Sequence, residues 1–199
     1  MLGEAAVAMW WDVAPEVRAE WEDWHTREHM PERLAIPSFL RGTRWVALSG
    51  APSYFVLYEV KELATLTGGA YLERLNNPSP WSRKMMPHHR NMVRSLCEVR
   101  AGWGGGLPSV LATIRLSPGS ELRDLPRNER LTGAHLLRSV PMAAVPQTAE
   151  QKIRGGDATA DQVLLVGGYD QEALAMSALP AGALGFYRPA YSLSAGEIA

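Results

Sequence analysis

Trp21-Glu22-Asp23-Trp24-His25-Thr26-Arg27-Glu28-His29-Met30-Pro31-Glu32-Arg33-Leu34 is the stretch from which the fold is read. Val17, Trp21, Trp24 and Glu28 recur at i, i+4, i+7 and i+11, which is one face of a helix with 3.6 residues per turn. Pro15 suits a first helical turn and Pro37 cannot continue one. A helix is therefore predicted over residues 15–34. His25 and His29, four apart, sit on one side of it, beside the tryptophan stripe. An imidazole at the edge of an apolar face is partly desolvated, so its pKa can be tuned for acid–base work on a small organic molecule. The alternative is a pair of edge histidines that only hydrogen-bond a neighbouring loop or strand.

Working outward, residues 5–13 form a nearly unbroken apolar run, short enough for a strand covered on both faces. Strands are also predicted over 39–48, 54–61 and 92–100, the last from its alternation of apolar and polar residues. A second helix is predicted over 63–76 and a short extra one over 81–89. This order is βαββαβ, the ferredoxin-like unit. Gly102-Trp103-Gly104-Gly105-Gly106, followed by Pro108, reads as a linker.

The second half reads as an eroded repeat. Its strands are predicted over 110–116, 134–140, 162–168 and 186–193, with helices within 118–130 and over 171–179. The segments from Tyr54 and from Gln162 look like counterparts, roughly 108 residues apart. A four-stranded sheet with both helices on one face leaves its other face bare, and two such sheets can cover each other. The expected fold class is therefore α+β: two tandem ferredoxin-like βαββαβ units, 1–104 and 105–199, packed sheet to sheet as a pseudo-dimeric α+β barrel. Residues 143–160, polar and glycine-containing, read as a mobile surface loop.

Composition narrows the function classes. Of 199 residues, 46% are hydrophobic and 21% charged, as in ordinary globular proteins. Twenty basic against 21 acidic residues give a net charge of −1, so no bulk field favours nucleic acid or an anionic membrane. No apolar run approaches the roughly 18–20 residues that span a bilayer, and the amino-terminal stretch lacks a signal-peptide pattern. Cys97, the lone cysteine, excludes an internal disulfide and a cysteine metal cluster. A cytoplasmic protein without nucleic-acid or membrane partners is expected.

Several other groups carry chemistry. Glu28 falls on the apolar stripe, where a charge is costly unless paired, and Arg33, Arg41 and Arg44 are the candidate partners. His25-Thr26-Arg27-Glu28-His29 matches the H-x-x-E-H zinc pattern, but no third protein ligand stands out, so no metal site is expected. His88 and His89 are adjacent, so at most one reaches a given site. His88 is taken as a candidate ligand contact. His135 reads as a structural histidine in a strand. All seven tryptophans lie in the first 103 residues. Trp10 and Trp11 must point to opposite faces of one strand, and Trp11, Trp21 and Trp45 are candidates to line an apolar pocket.

Trp24-His25-x3-His29-Met30-Pro31-Glu32-Arg33, followed by Pro37-x-Phe39-x-Arg41-Gly42, resembles the first helix and second strand of the dimeric α+β barrel superfamily. Within it the chain is most similar to EthD-like proteins. Ser38 stands where family members often have glycine. The resemblance implies a pocket between sheet and helices or inside the barrel. Relatives include cofactor-free cyclases, isomerases and monooxygenases, and haem enzymes. Carried over, His25 and His29 are the candidate pocket residues. The expectation is a small-molecule enzyme acting on an apolar or aromatic substrate without a tightly bound cofactor. His25 or His29 would be the acid or base, with Glu28 and Arg41 orienting it. The alternatives are a non-catalytic ligand-binding or assembly protein, or a haem-binding relative. A homodimer of the chain is possible in either case.

Overall fold

The computed structural model describes residues 1–141 and 147–198. Eight strands form one closed barrel: β1 (Ala5–Val13), β2 (Phe39–Ala47), β3 (Tyr54–Val60), β4 (His89–Gly104), β5 (Val110–Leu116), β6 (Leu131–Ser139), β7 (Gln162–Gly168) and β8 (Gly182–Ser194). Their order around it is β1-β3-β2-β8-β5-β7-β6-β4, and every neighbouring pair is antiparallel.

This corrects the expected fold class. The strands do not form two ferredoxin-like sheets stacked face to face. Hydrogen-bonded registers, each with one shift, join β2 to β8 (Arg41 with Ser194 through Ala47 with Tyr187) and β4 to β6 (Cys97 with Ser139 through Gly104 with Gly133). Closure pairs backbone groups that would otherwise stand as open sheet edges, and strand alternation cannot reveal which edges meet. The second half is not a βαββαβ repeat either. Residues 117–130 contain no helix, so this half runs ββαβαβ. Pro118, Gly119 and Pro126 break that segment, and Trp103 Nε1 donates to the Pro126 carbonyl at 3.1 Å.

Helices are short. They are α1 (Arg18–Trp24), α2 (Met30–Leu34), α3 (Gly69–Asn76), α4 (Pro80–Met85), α5 (Ala149–Arg154) and α6 (Gln171–Ala175). α5 lies in the stretch expected to be a mobile loop. Thr148 and Gln151 form a capping box at its start, and Gly155, at φ +84°, ends it in the left-handed region. Residues 143–146 of that expected loop lie outside the described residues. Gly102 to Gly104, expected as linker, instead continue β4 against β6.

Alternation along the strands builds three cores, one inside the barrel and two outside it. Ala6, Ala8, Trp10, Phe55, Leu57 and Tyr187 point into the barrel, which at eight strands is just wide enough for side chains to fill. Trp10 stacks on Phe55 with ring centroids 4.8 Å apart, and its indole donates to Thr113 Oγ1 at 3.0 Å. On the outside of β1 and β3, Val7, Trp11, Val56 and Tyr58 pack against Trp21, Trp24 and Leu34 from the helices. No helix among the described residues is long and apolar enough to cross a membrane.

Candidate functional site

The predicted single helix over residues 15–34 is interrupted where the histidines lie. A 3-10 turn (Pro15–Val17) and α1 lead into a π-helical turn, His25–His29, in which the Met30 amide reaches back to the His25 carbonyl before α2 begins. Pro31 gives a local reason. It has no amide to donate, and its ring crowds the carbonyl four residues back, so a widened turn relieves the clash. Single π turns are frequent at functional sites.

The turn stacks the imidazoles among tryptophans. His25 and His29 have ring centroids 5.5 Å apart. Trp21 lies against His25 at 5.0 Å and Trp24 against His29 at 4.6 Å. Trp11, outward on β1, comes within 6.2 Å of His25 and 5.0 Å of His89. His89 is tied in by Trp21 Nε1, which donates to its Nε2 at 2.8 Å. His25 is 1% exposed and His29 9%. The Nδ1 atoms of His25, His29 and His89 and the Trp11 Nε1 are all buried without a hydrogen-bond partner. Burial is the main force holding all three histidines well below the usual imidazole pKa. Arg44 adds to this at His25, Arg33 at His29 and Arg154 at His89. The neutral imidazoles each keep a lone pair, and the burial that keeps them neutral also makes them weaker bases than a free imidazole.

Glu28 does not meet the arginines expected for it. Its carboxylate accepts from Trp24 Nε1 at 3.2 Å, from Ser82 Oγ at 3.5 Å, and from the Ser79 hydroxyl. Ser79 caps α4, so Glu28 fastens α4 over the histidine turn. Among the described residues, no three His, Cys, Asp or Glu side chains are placed to share a metal ion.

Of the expected pocket residues, Trp11 and Trp21 join the cage, whereas Arg41 and Trp45 face the barrel interior. Arg41 Nε donates to Glu59 Oε2 at 2.5 Å. Together with Thr43, Leu57 and His135, Arg41, Trp45 and Glu59 line a cavity of about 50 Å³ near one mouth of the barrel. Burial, helped by the positive Met1 amino group, pushes the His135 pKa down to about 4. His88 belongs to a 3-10 turn, and it is His89, the first residue of β4, that reaches the cage.

His89 was hidden by strand phase. A bulge between Trp10 and Asp12 shifts the β1–β4 register, and Asn91 adopts φ +54°. The pattern of 92–100 therefore does not extend to position 89, which pairs with outward-facing Val13. Arg44 was considered only as a partner for Glu28. It projects from the helix side of β2, 7% exposed, with its guanidinium carbon 5.8 Å from the centres of both Trp21 and Tyr191. It lines an open cleft of about 530 Å³ with Arg18, Glu22, Tyr54 and Arg188. The Tyr54 ring stands 4.7 Å from Trp21, so the cleft abuts the cage.

No protein-family profile and no curated protein sequence matches the chain. Solved structures do resemble it. An anthrone oxidase-like protein superposes with a TM-score of 0.60 at 10% identity, over 98% of this chain and 94% of that one. A candidate monooxygenase of Fusobacterium nucleatum subsp. nucleatum gives 0.51 at 8% identity, over 98% and 96%. Another, of Lactobacillus acidophilus, gives 0.51 at 6% identity, over 96% of each. At such identities the likeness is one of fold. It does not support the EthD-like kinship or the tandem repeat expected from the helix motif.

Proposed function

We propose that the chain is a small-molecule enzyme that removes a proton from an acidic aromatic substrate of the anthrone kind and lets the resulting anion react with dioxygen. The observation that carries this reading is the set of buried imidazole nitrogens without partners at His25, His29 and His89. A buried polar group left unpaired costs about 1–3 kcal/mol. Three in one aromatic cage are hard to explain as structural fastening, whereas a substrate proton would give His25 or His29 a partner. The names of the structural neighbours point to the same chemistry.

In this reading a neutral imidazole, His25 or His29, takes a proton from the ring methylene of an anthrone. The carbanion is delocalised into the ring carbonyl as an enolate, which the tryptophan walls shield from water. Dioxygen is the oxidant and the anion the reductant. One oxygen atom becomes the new ring carbonyl, the other leaves as water with the two methylene hydrogens, and no further reductant is needed. His25 is 1% exposed, so turnover requires the cage to open.

The enclosure of His25 favours a second reading, in which the histidines only fasten the helix and the chain stores a ligand. An oxygen electrode separates the two. The enzyme reading expects anthrone to be converted to anthraquinone with one dioxygen consumed per turnover, well above the rate without protein. A rate equal to that of protein-free buffer would support the second reading and remove the first.

A further inference from the structure

We infer that the cleft beside β2 binds a carboxylate on a flat aromatic ligand, with Arg44 as its seat. Three of the chain's shielded arginines have an acid, whereas Arg94, among the described residues, has none and donates its Nη2 to Tyr71 OH at 2.7 Å. Arg33 pairs with Glu150, Arg41 with Glu59, and Arg154 with Glu150 and Asp157. Among the described residues Arg44 makes no ion pair. Its Nη1 donates to the Glu22 carbonyl at 3.1 Å, and its Nε is buried with no partner. The Glu22 carboxylate acts on Arg44 only through space and is engaged by Tyr54, so a carboxylate delivered by a ligand would give the guanidinium direct charge-assisted bonds.

The surroundings suit such a ligand. The cleft is within the usual size range for small-molecule sites. Arg18 and Arg188, both exposed, add two positive charges at its rim. Glu22 is its one acidic lining residue, and that carboxylate already accepts from Tyr54 OH at 2.6 Å. Val46, Tyr54 and Pro189 give apolar surface for a ring. A ring lying on Tyr54 with its carboxylate on Arg44 would be separated from the cage by the Tyr54 ring, which stands 4.7 Å from Trp21, the residue stacked on His25. The inference thus names the substrate class for the reaction site proposed above and rests on that reading for its biological purpose, but its test uses binding alone.

The test is calorimetric titration of the intact chain with 2-naphthoate and with its neutral counterpart 2-naphthamide. Naphthoate should bind, naphthamide should bind at least tenfold more weakly, and raising the salt concentration should weaken naphthoate selectively. Arg44→Gln should weaken naphthoate by roughly tenfold or more. The exposed pair Arg18→Ala/Arg188→Ala, which does not disturb the core, should weaken it several-fold, so the proposal stays testable if Arg44→Gln fails to fold. Equal affinity for the two probes, no naphthoate binding at millimolar concentration, or unchanged affinity in the arginine variants would overturn the proposal. Naphthoate binding without oxygen consumption on anthrone would leave this site standing and remove the enzyme reading. Anthrone turnover with no preference for the carboxylate would do the reverse.

Discussion

Trp21 Nε1 donates to His89 Nε2 across 2.8 Å, joining α1 to the first residue of β4. An indole nitrogen can only donate, so His89 Nε2 must accept and the ring must carry its proton on Nδ1. The bond therefore holds His89 neutral in a defined tautomer within the cage. Nitrogen NMR of His89 should show an unprotonated Nε2 near neutral pH. Trp21→Phe should cost about 1–3 kcal/mol of stability, since it leaves a buried acceptor unpaired and thins the packing. A protonated Nε2 in the wild type would contradict the assignment.

Stability should fall as the solution is acidified below neutrality. His25 and His29 are held neutral in the folded chain, with pKa values well below the roughly 6.5 of the unfolded chain. Above that value both states are neutral and the full stability is present. Below it the unfolded chain takes up protons that the folded chain refuses, so stability is lost from about pH 6.5 down toward the folded pKa values. Each of the two should remove up to about 2 kcal/mol between pH 7 and pH 5. Urea midpoints across that range should drop steeply in the wild type and less so in His25→Gln or His29→Gln.

Arg33 on α2 and Glu150 on α5 form a buried ion pair, 3% and 2% exposed. It carries α5, a helix of the second half, onto the helices beside the histidine turn. Removing one partner leaves the other charge buried, so Glu150→Ala should cost about 3–5 kcal/mol. The apolar double variant Arg33→Met/Glu150→Leu should be far milder. Chemical denaturation of the two variants checks this, and equal losses would show that the charges are not coupled.

Ser38 sits at φ +72°, in the left-handed region where a side chain is strained. Its carbonyl accepts from the Lys61 amide at 2.9 Å, which keeps the turn in place. Ser38→Gly should therefore raise stability by up to about 1 kcal/mol, read as an increased denaturation midpoint. A loss would show that the strain is relieved elsewhere.

Much of the strand pattern was legible because apolar alternation reports burial directly. The run at residues 5–13 is β1, and the opposite orientations of Trp10 and Trp11 follow from its two-residue period. What escaped the sequence depends on partners distant in the chain. Barrel closure rests on β2 meeting β8 about 150 residues later, and nothing local in Arg41 to Ala47 marks that edge. The β4–β6 register likewise absorbs the glycines at 102 and 104, whose composition alone reads as a linker. At the site, the pairing of His25 with His29 was visible in their spacing, and Trp11 and Trp21 in the aromatic pattern. His89 and Arg44 are not marked in the sequence as members of it, since a bulge sets the phase of one and only the folded chain brings the other beside Trp21.

The central claim is that the caged imidazoles accept the substrate's proton. Its most direct test is the anthrone oxidation rate of His25→Gln/His29→Gln against the wild type, with folding of both verified by thermal melts at pH 7.5. Loss of a positioned base should lower kcat/KM by at least about 10²-fold. An unchanged rate in the folded double variant would contradict the account.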